Sequence, residues 1–437
     1  MTAAAARASR IRDRAPKTPA TASRSASTRS RGGRGTDPSA GAGRRFDPLP
    51  WVILVGVLAL WLLETGGALW RTSHWRHYVY LADAFNHGQL HLYHHPQDAG
   101  DMAIVEGRAY VVFGPLPALP LMPVVALLGE RTPDVLALIL TALLGIYVFY
   151  RLLRTVHGPG DPSRLAATTL TFGLGTAIHY GAPMGNVWLH AQISAVALQC
   201  LALWMAASGR AWWCGAALAL AVLTRPTVVL AAPLALWMLA APQGAGLRPA
   251  PRSLARTGLT LALPVAAAVA LHALYNVARF GSLGDAGYHY ILMGDEFSAL
   301  VERYGRFHTH FLPHNLFGLL LAPPRAAGGT LEPDPHGMSI LLTTPFLLLA
   351  LWPRPWSALE RAAAGTVALI AVPALLYYND GWVQFGQRFA LDWIAPGLLV
   401  ASFGARRAPG GVAWALAAAG ILVNAWGMLW FQATFRH

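Results

Sequence analysis

Apolar runs of up to about twenty residues recur from Trp51 to near the end of this chain, and each of the longer ones could cross a bilayer as a helix. A water-soluble fold would have to bury nearly all of them around one core. With 55% hydrophobic and 12% charged residues among 437, the pattern is that of an all-α polytopic membrane protein. About eleven transmembrane helices are expected, near 51–69, 134–152, 165–181, 187–207, 211–224, 226–241, 257–277, 337–352, 361–378, 390–404 and 411–431, with short juxtamembrane helices between some of them. The segments 211–224 and 226–241 are short and are joined by "LTRP", where Pro226 lacks an amide donor and breaks the helix.

Charge sets the orientation. Residues 1–48 carry eleven Lys/Arg against three Asp, are rich in Ala, Ser, Thr and Gly, and cannot bury enough apolar surface to fold. They resemble a transit peptide in being rich in Arg and Ser, but a disordered basic cytoplasmic tail in contact with anionic membrane lipids is the expectation. The run from Trp51 to Trp70 is too long for a signal-peptide core and reads as a retained anchor. With the tail inside, every inner segment is net positive, from +1 at 208–210 to +8 at 1–48, as the positive-inside rule requires. The C-terminus then lies outside. Cys200 and Cys214 sit inside apolar runs, so neither a disulfide framework nor a CxxC metal site is available.

The polar segments 70–133, 278–336 and 379–389 fall on the outer face, and 179–188 joins two helices on the same side. Two apolar stretches within them, "GPLPALPLMPVVALLG" (114–129) and "HNLFGLLLAPP" (314–324), are Pro-interrupted and read as short helices dipping into the surface. Just after the first span comes "HWRHYVYLADAFNHGQLHLYHH" (74–95). Tyr78, Leu81, Ala82 and Phe85 recur at helical spacing, so 75–87 is an amphipathic surface helix ended by Gly88. Asp83 falls off the apolar stripe, toward water or a cleft. A base acting on a lipid-linked substrate belongs at headgroup depth, and Asp83 and Asp101 are the carboxylates proposed for it. Arg225 and Arg388, each at the outer end of a helix, are suited to a lipid phosphate. Tyr78, Arg108 and His74 join them as substrate-binding candidates. The histidine sets "HLYHH" and "HTHFLPH" have ligand-like spacing but are more readily polar surface. No metal ligand is assigned, and a divalent cofactor is left open.

Four stretches, "YLADAFNHGQL", "GRAYVVFGPLPALPLMP", "GAALALAVLTRPTVVLAAPL" and "FGQRFALDWIAPGLL", are similar to bacterial glycosyltransferase family 39-like proteins. The layout resembles the GT-C class of membrane glycosyltransferases, which includes protein O-mannosyltransferases and aminoarabinose transferases. The resemblance implies a polyprenyl-phosphate sugar donor, inverting transfer, and a catalytic carboxylate in the first outer loop. It also implies a glycan, lipid or protein acceptor at the outer face of a bacterial plasma membrane, with no nucleic-acid partner. In several such families an acidic pair stands about eight residues before the "LA" matched by Leu81-Ala82, where this chain has His74 and Trp75. The acid is then Asp83 or a later residue such as Asp101, or the activity is altered or lost. A transporter or flippase of lipid-linked saccharides is the alternative, and it should hold ionisable groups at mid-membrane in two repeated halves. A non-catalytic GT-C-like protein is the third reading.

Overall fold

The structure, a computed structural model, describes residues 46–435 apart from 94–99, 241–250, 292 and 382. The expected tail lies outside the described residues as far as residue 45, as do His94 and His95. Pro48–His437 forms one compact unit. Among the described residues, five helices are long and apolar enough to cross a membrane: Asp134–His157, Val187–Ala207, Leu254–Phe280, Ala358–Leu375 and Gly410–Thr434. Their surfaces point to lipid as the surrounding medium. On the Leu254–Phe280 helix, Leu259, Leu263, Leu271 and Leu274 are each more than half exposed, an apolar stripe that a water-soluble monomer rarely carries.

The other expected spans are shorter or broken, for local reasons. Leu49–Glu64 is a 16-residue helix that stops where Gly66 and Gly67 take positive φ. Its buried Ile53, Val57 and Trp61 recur every fourth residue and face the bundle, while Val52, Val55 and Leu63 are exposed. Segment 165–181 is the helix Pro162–Leu174, interrupted at Gly175 and resumed as Ile178–Met184. The "LTRP" pair is two helices, Ala211–Val222 and Pro226–Ala240, separated at the expected proline. Segment 337–352 departs most. It is a strand His336–Met338, a single helical turn Ile340–Thr343 and a 3-10 helix Pro345–Leu351, because Pro345 cannot donate into a continuous helix. The helix Ala358–Leu375 starts at a capping box made by Ser357 and Glu360, three residues before the expected span.

The core is packed around Asp134–His157, Val187–Ala207 and Leu391–Ala405. Gly145 lets the first two approach closely, since an added Cβ would lie 3.1 Å from the Ala197 methyl. A helix is present where expected, His77–Asn86, followed by Gly88 at φ +68°, but six of its ten residues are buried, His77, Val79 and Ala84 off the expected stripe among them, so it packs into the structure rather than lying on a surface. The dipping stretches are the short helices Met122–Leu128 and Leu312–Leu320. The remainder of the first polar segment holds an antiparallel hairpin, Met102–Val105 with Arg108–Val111.

The segments sort into two groups. Those assigned outside are joined to one another. The Val187 amide donates to Trp75 O (3.2 Å), Ala103 bridges to Ile291 and Phe307 to Tyr377, and strand His336–Met338 pairs in parallel with Gln384–Gly386. The last helix returns to the end of the first, where Gln432 Nε2 donates to Glu64 O at 2.8 Å. The basic segments assigned inside meet one another as well. Arg406 Nη1 donates to His157 O (3.3 Å), and Arg164 Nη1 donates to Arg406 O, joining 151–164 to 405–410. This grouping makes the sidedness testable. Native Cys200 and Cys214 are buried. A cysteine introduced by Arg108→Cys, an exposed hairpin position, should therefore react with an impermeant thiol reagent in intact cells. One introduced by Arg256→Cys should react only after the cells are opened. The reverse pattern would invert the orientation.

Candidate active site

The site is built where the "LTRP" turn meets the start of the Leu391–Ala405 helix. Because Pro226 follows, Arg225 is held in extended backbone (φ −145°, ψ 107°), which carries its side chain away from the helix it ends. Gly114 of the first outer segment packs against this turn so closely that an added Cβ would collide with the Leu223 and Thr224 carbonyl oxygens. The Leu116 amide also donates to Leu223 O at 3.2 Å. The proline-rich stretch after the hairpin therefore sets the position of the turn.

The Arg225 guanidinium meets the Asp392 carboxylate in a two-point pair, Nε to Oδ1 and Nη2 to Oδ2 both at 2.8 Å. Thr227 Oγ1 donates to Asp392 Oδ2 at 3.0 Å. Both side chains are largely buried, so each charge is compensated by the other. Arg225 is thus occupied as a structural clamp between two helices rather than left open for a phosphate.

Arg388 is different. It is buried, its Nε donates to Gly381 O (3.0 Å), and its backbone amide donates to Gln384 Oε1 (2.8 Å). The guanidinium lies over the rings of Phe389 (4.8 Å) and Trp188 (5.7 Å). Among the described residues it has no carboxylate ion pair. Burial and the neighbouring Arg225 charge push its pKa down to about 10, so it remains a cation at neutral pH.

Asp101 meets the same indole through its ring N–H. Trp188 Nε1 donates to Asp101 Oδ2 at 2.9 Å. Asp101 precedes the hairpin with φ +58°, a region that non-glycine residues enter rarely and Asp and Asn most readily. Its charge is felt by both Arg388 and Tyr288, and Tyr288 in turn lies within electrostatic reach of Arg225 and Arg388. Tyr78 completes the group. Its side chain is buried, its hydroxyl has no hydrogen-bond partner among the described residues, and burial followed by Tyr288 raises its pKa against the pull of Arg225.

Of the residues singled out from sequence, Asp101, Arg388, Arg225 and Tyr78 come together. Asp83 does not join them: it pairs with His87 one turn along its own helix, at 3.6 Å. His74 is exposed at the edge, its ring against Trp75 (5.0 Å), which in turn packs on Trp188 (5.4 Å). Arg108 is exposed on the hairpin. Sequence reasoning gave no role to Trp188 and Tyr288, whose signal was only their presence in outer segments, or to Asp392, which fell inside the expected span 390–404. The histidine sets divide: His310 stacks on Tyr304 (4.0 Å) and His91 packs near Tyr110 (6.0 Å), whereas His314 turns to Asp380 (3.2 Å).

A small groove, lined by Leu319, Ala371, Leu375 and Trp393 together with Asp380, includes Gln387 and Phe389 on either side of Arg388 in its wall, but not Arg388 itself. No family model matches this chain, and no curated protein matches it. Among solved structures it is similar to the apo form of the Archaeoglobus fulgidus oligosaccharyltransferase, at 12% identity and a TM-score of 0.37, over 88% of this chain and 55% of that one. The chain thus spans about half the length of that protein, and the chemistry below is read from this chain's own residues.

Proposed function

We propose that this protein is a GT-C-like integral-membrane glycosyltransferase that moves a sugar from a polyprenyl-phosphate donor to an acceptor hydroxyl at the outer face. The observation that carries the reading is Arg388: a buried guanidinium with no carboxylate ion pair among the described residues, sharing one indole with a carboxylate. A buried cation calls for an anion, and a lipid phosphate supplies one at this depth. Asp101 takes the proton from the acceptor hydroxyl as the oxygen attacks C1 of the sugar. The bond from C1 to the donor phosphate oxygen breaks on the opposite face, giving inversion. The lipid phosphate departs with the bonding electron pair, and Arg388 receives the charge. Tyr78, whose hydroxyl has no partner among the described residues, hydrogen-bonds the sugar or the phosphate. Arg225 and Asp392 hold the turn and the helix start in place. Asp83 lies outside this scheme.

The test is transfer in proteoliposomes from a panel of polyprenyl-phosphate sugars. Arg388→Met keeps the length and apolar stem but removes the charge, so donor affinity and turnover should both fall. Arg388→Lys should recover only part, because a point charge replaces the planar fork. Full transfer by Arg388→Met, or no transfer by the wild type from any donor in the panel, would overturn the reading.

A further inference from the structure

A second cluster includes Asp380, one residue before the Gly381 carbonyl that anchors Arg388. We propose that His314, His336 and Asp380 form a binding site for a first-row divalent cation, zinc by preference. One ligand atom from each lies within 4.8 Å of the other two. Asp380 Oδ2 is 2.5 Å from His336 Nδ1 and 3.2 Å from His314 Nε2. Tetrahedral zinc with bonds of about 2.0–2.1 Å places its ligand atoms about 3.4 Å apart, so shifts of roughly an ångström convert these contacts into coordination. Two imidazoles and one carboxylate suit zinc or a neighbour in its row, and three protein ligands leave a position for water.

The three residues come from separate segments, and each is fixed by its own anchors. His314 stands on the helix Leu312–Leu320, whose Asn315 donates to Tyr377 O (2.8 Å) and Leu375 O (3.0 Å). The His336 amide donates to Asp334 Oδ1 at 2.9 Å, and Asp334 Oδ2 accepts from Arg325 Nε at 2.8 Å. The buried Gln384 side chain ties the other two together, its Nε2 donating to Asp380 O (2.6 Å) and to His336 O (2.8 Å). Gly381, at φ +106°, makes the turn that presents Asp380. A hydrogen bond alone is a weak reason for the placement of His314. Its side chain is 67% exposed, and water competes there for a contact of 3.2 Å. Coordination explains why a second imidazole is brought to the same carboxylate oxygen. The cation would fasten the dipping helix to the Asp380 turn, beside the groove that Asp380 also lines.

Metal binding is read without any transfer assay, so its outcome is independent of the glycosyltransferase reading. Full-length protein in detergent, stripped with a chelator, is dialysed against Zn²⁺, and bound zinc is counted by elemental analysis. Affinity is measured by competition with a chromophoric chelator. The wild type should hold one zinc ion per chain. His314→Ala and Asp380→Asn should each weaken it beyond the roughly 10–100-fold expected for loss of a supporting contact. His310→Ala, which removes a ring stacked on Tyr304, should leave it unchanged. His314→Ala removes a mostly exposed side chain, so folding is not at stake in that variant. Absence of stoichiometric zinc in the wild type, or an affinity that moves less than tenfold in both ligand variants, would overturn the proposal.

Discussion

Asp101→Asn should lower sugar transfer by about 10²–10⁴-fold while leaving donor binding in place, the loss expected when a general base is removed. The substitution is a clean one at this position. Asn tolerates the φ of +58° that Asp101 adopts, and its amide oxygen can still accept from Trp188 Nε1. What disappears is the capacity to take a proton, so turnover should fall with little change in donor affinity. Arg388→Met should change both, and this split separates a base from a phosphate holder. Asp83→Asn supplies the comparison, because Asp83 pairs with His87 and lies apart from the group around Trp188. If Asp83→Asn abolished transfer and Asp101→Asn did not, the base would be on the His77–Asn86 helix after all.

The second large effect is on stability. Asp392→Asn leaves the Arg225 guanidinium buried without its counter-charge and should cost about 3–5 kcal/mol, read as a lower unfolding temperature in detergent. The converse change shows whether charge or packing is responsible. The double variant Arg225→Met with Asp392→Leu removes both charges and should regain most of the loss, since a buried ion pair contributes little over apolar groups of similar volume. A melting temperature for Asp392→Asn no lower than that of the surface variant Arg108→Ala would show that the pair is not a clamp. Transfer by the double variant should fall less than that of Arg388→Met, because Arg225 positions the site and Arg388 touches the donor.

The sequence alone was enough for the membrane class, the helix at His77–Asn86, its stop at Gly88 and the break at Pro226. These are properties of short windows: the length of an apolar run, a helical period, the missing amide of a proline. Span lengths were read less well for the same reason. Segment 337–352 is apolar enough for a helix, but its Pro345 and its pairing to a strand nearly fifty residues on decide otherwise. Tertiary structure alone decided which charges remain available. Arg225 and Arg388 look alike in sequence, each at a helix end beside apolar residues. Asp392, 167 positions away, neutralises the first, while the second lies over aromatic rings and among the described residues has no carboxylate ion pair. Asp101 is separated from Asp83 by eighteen residues, yet only Asp101 reaches Trp188. Likewise, only His314 of its histidine set meets Asp380. Such pairings depend on how outer segments fold back over the bundle, and spacing along the chain carries no record of that.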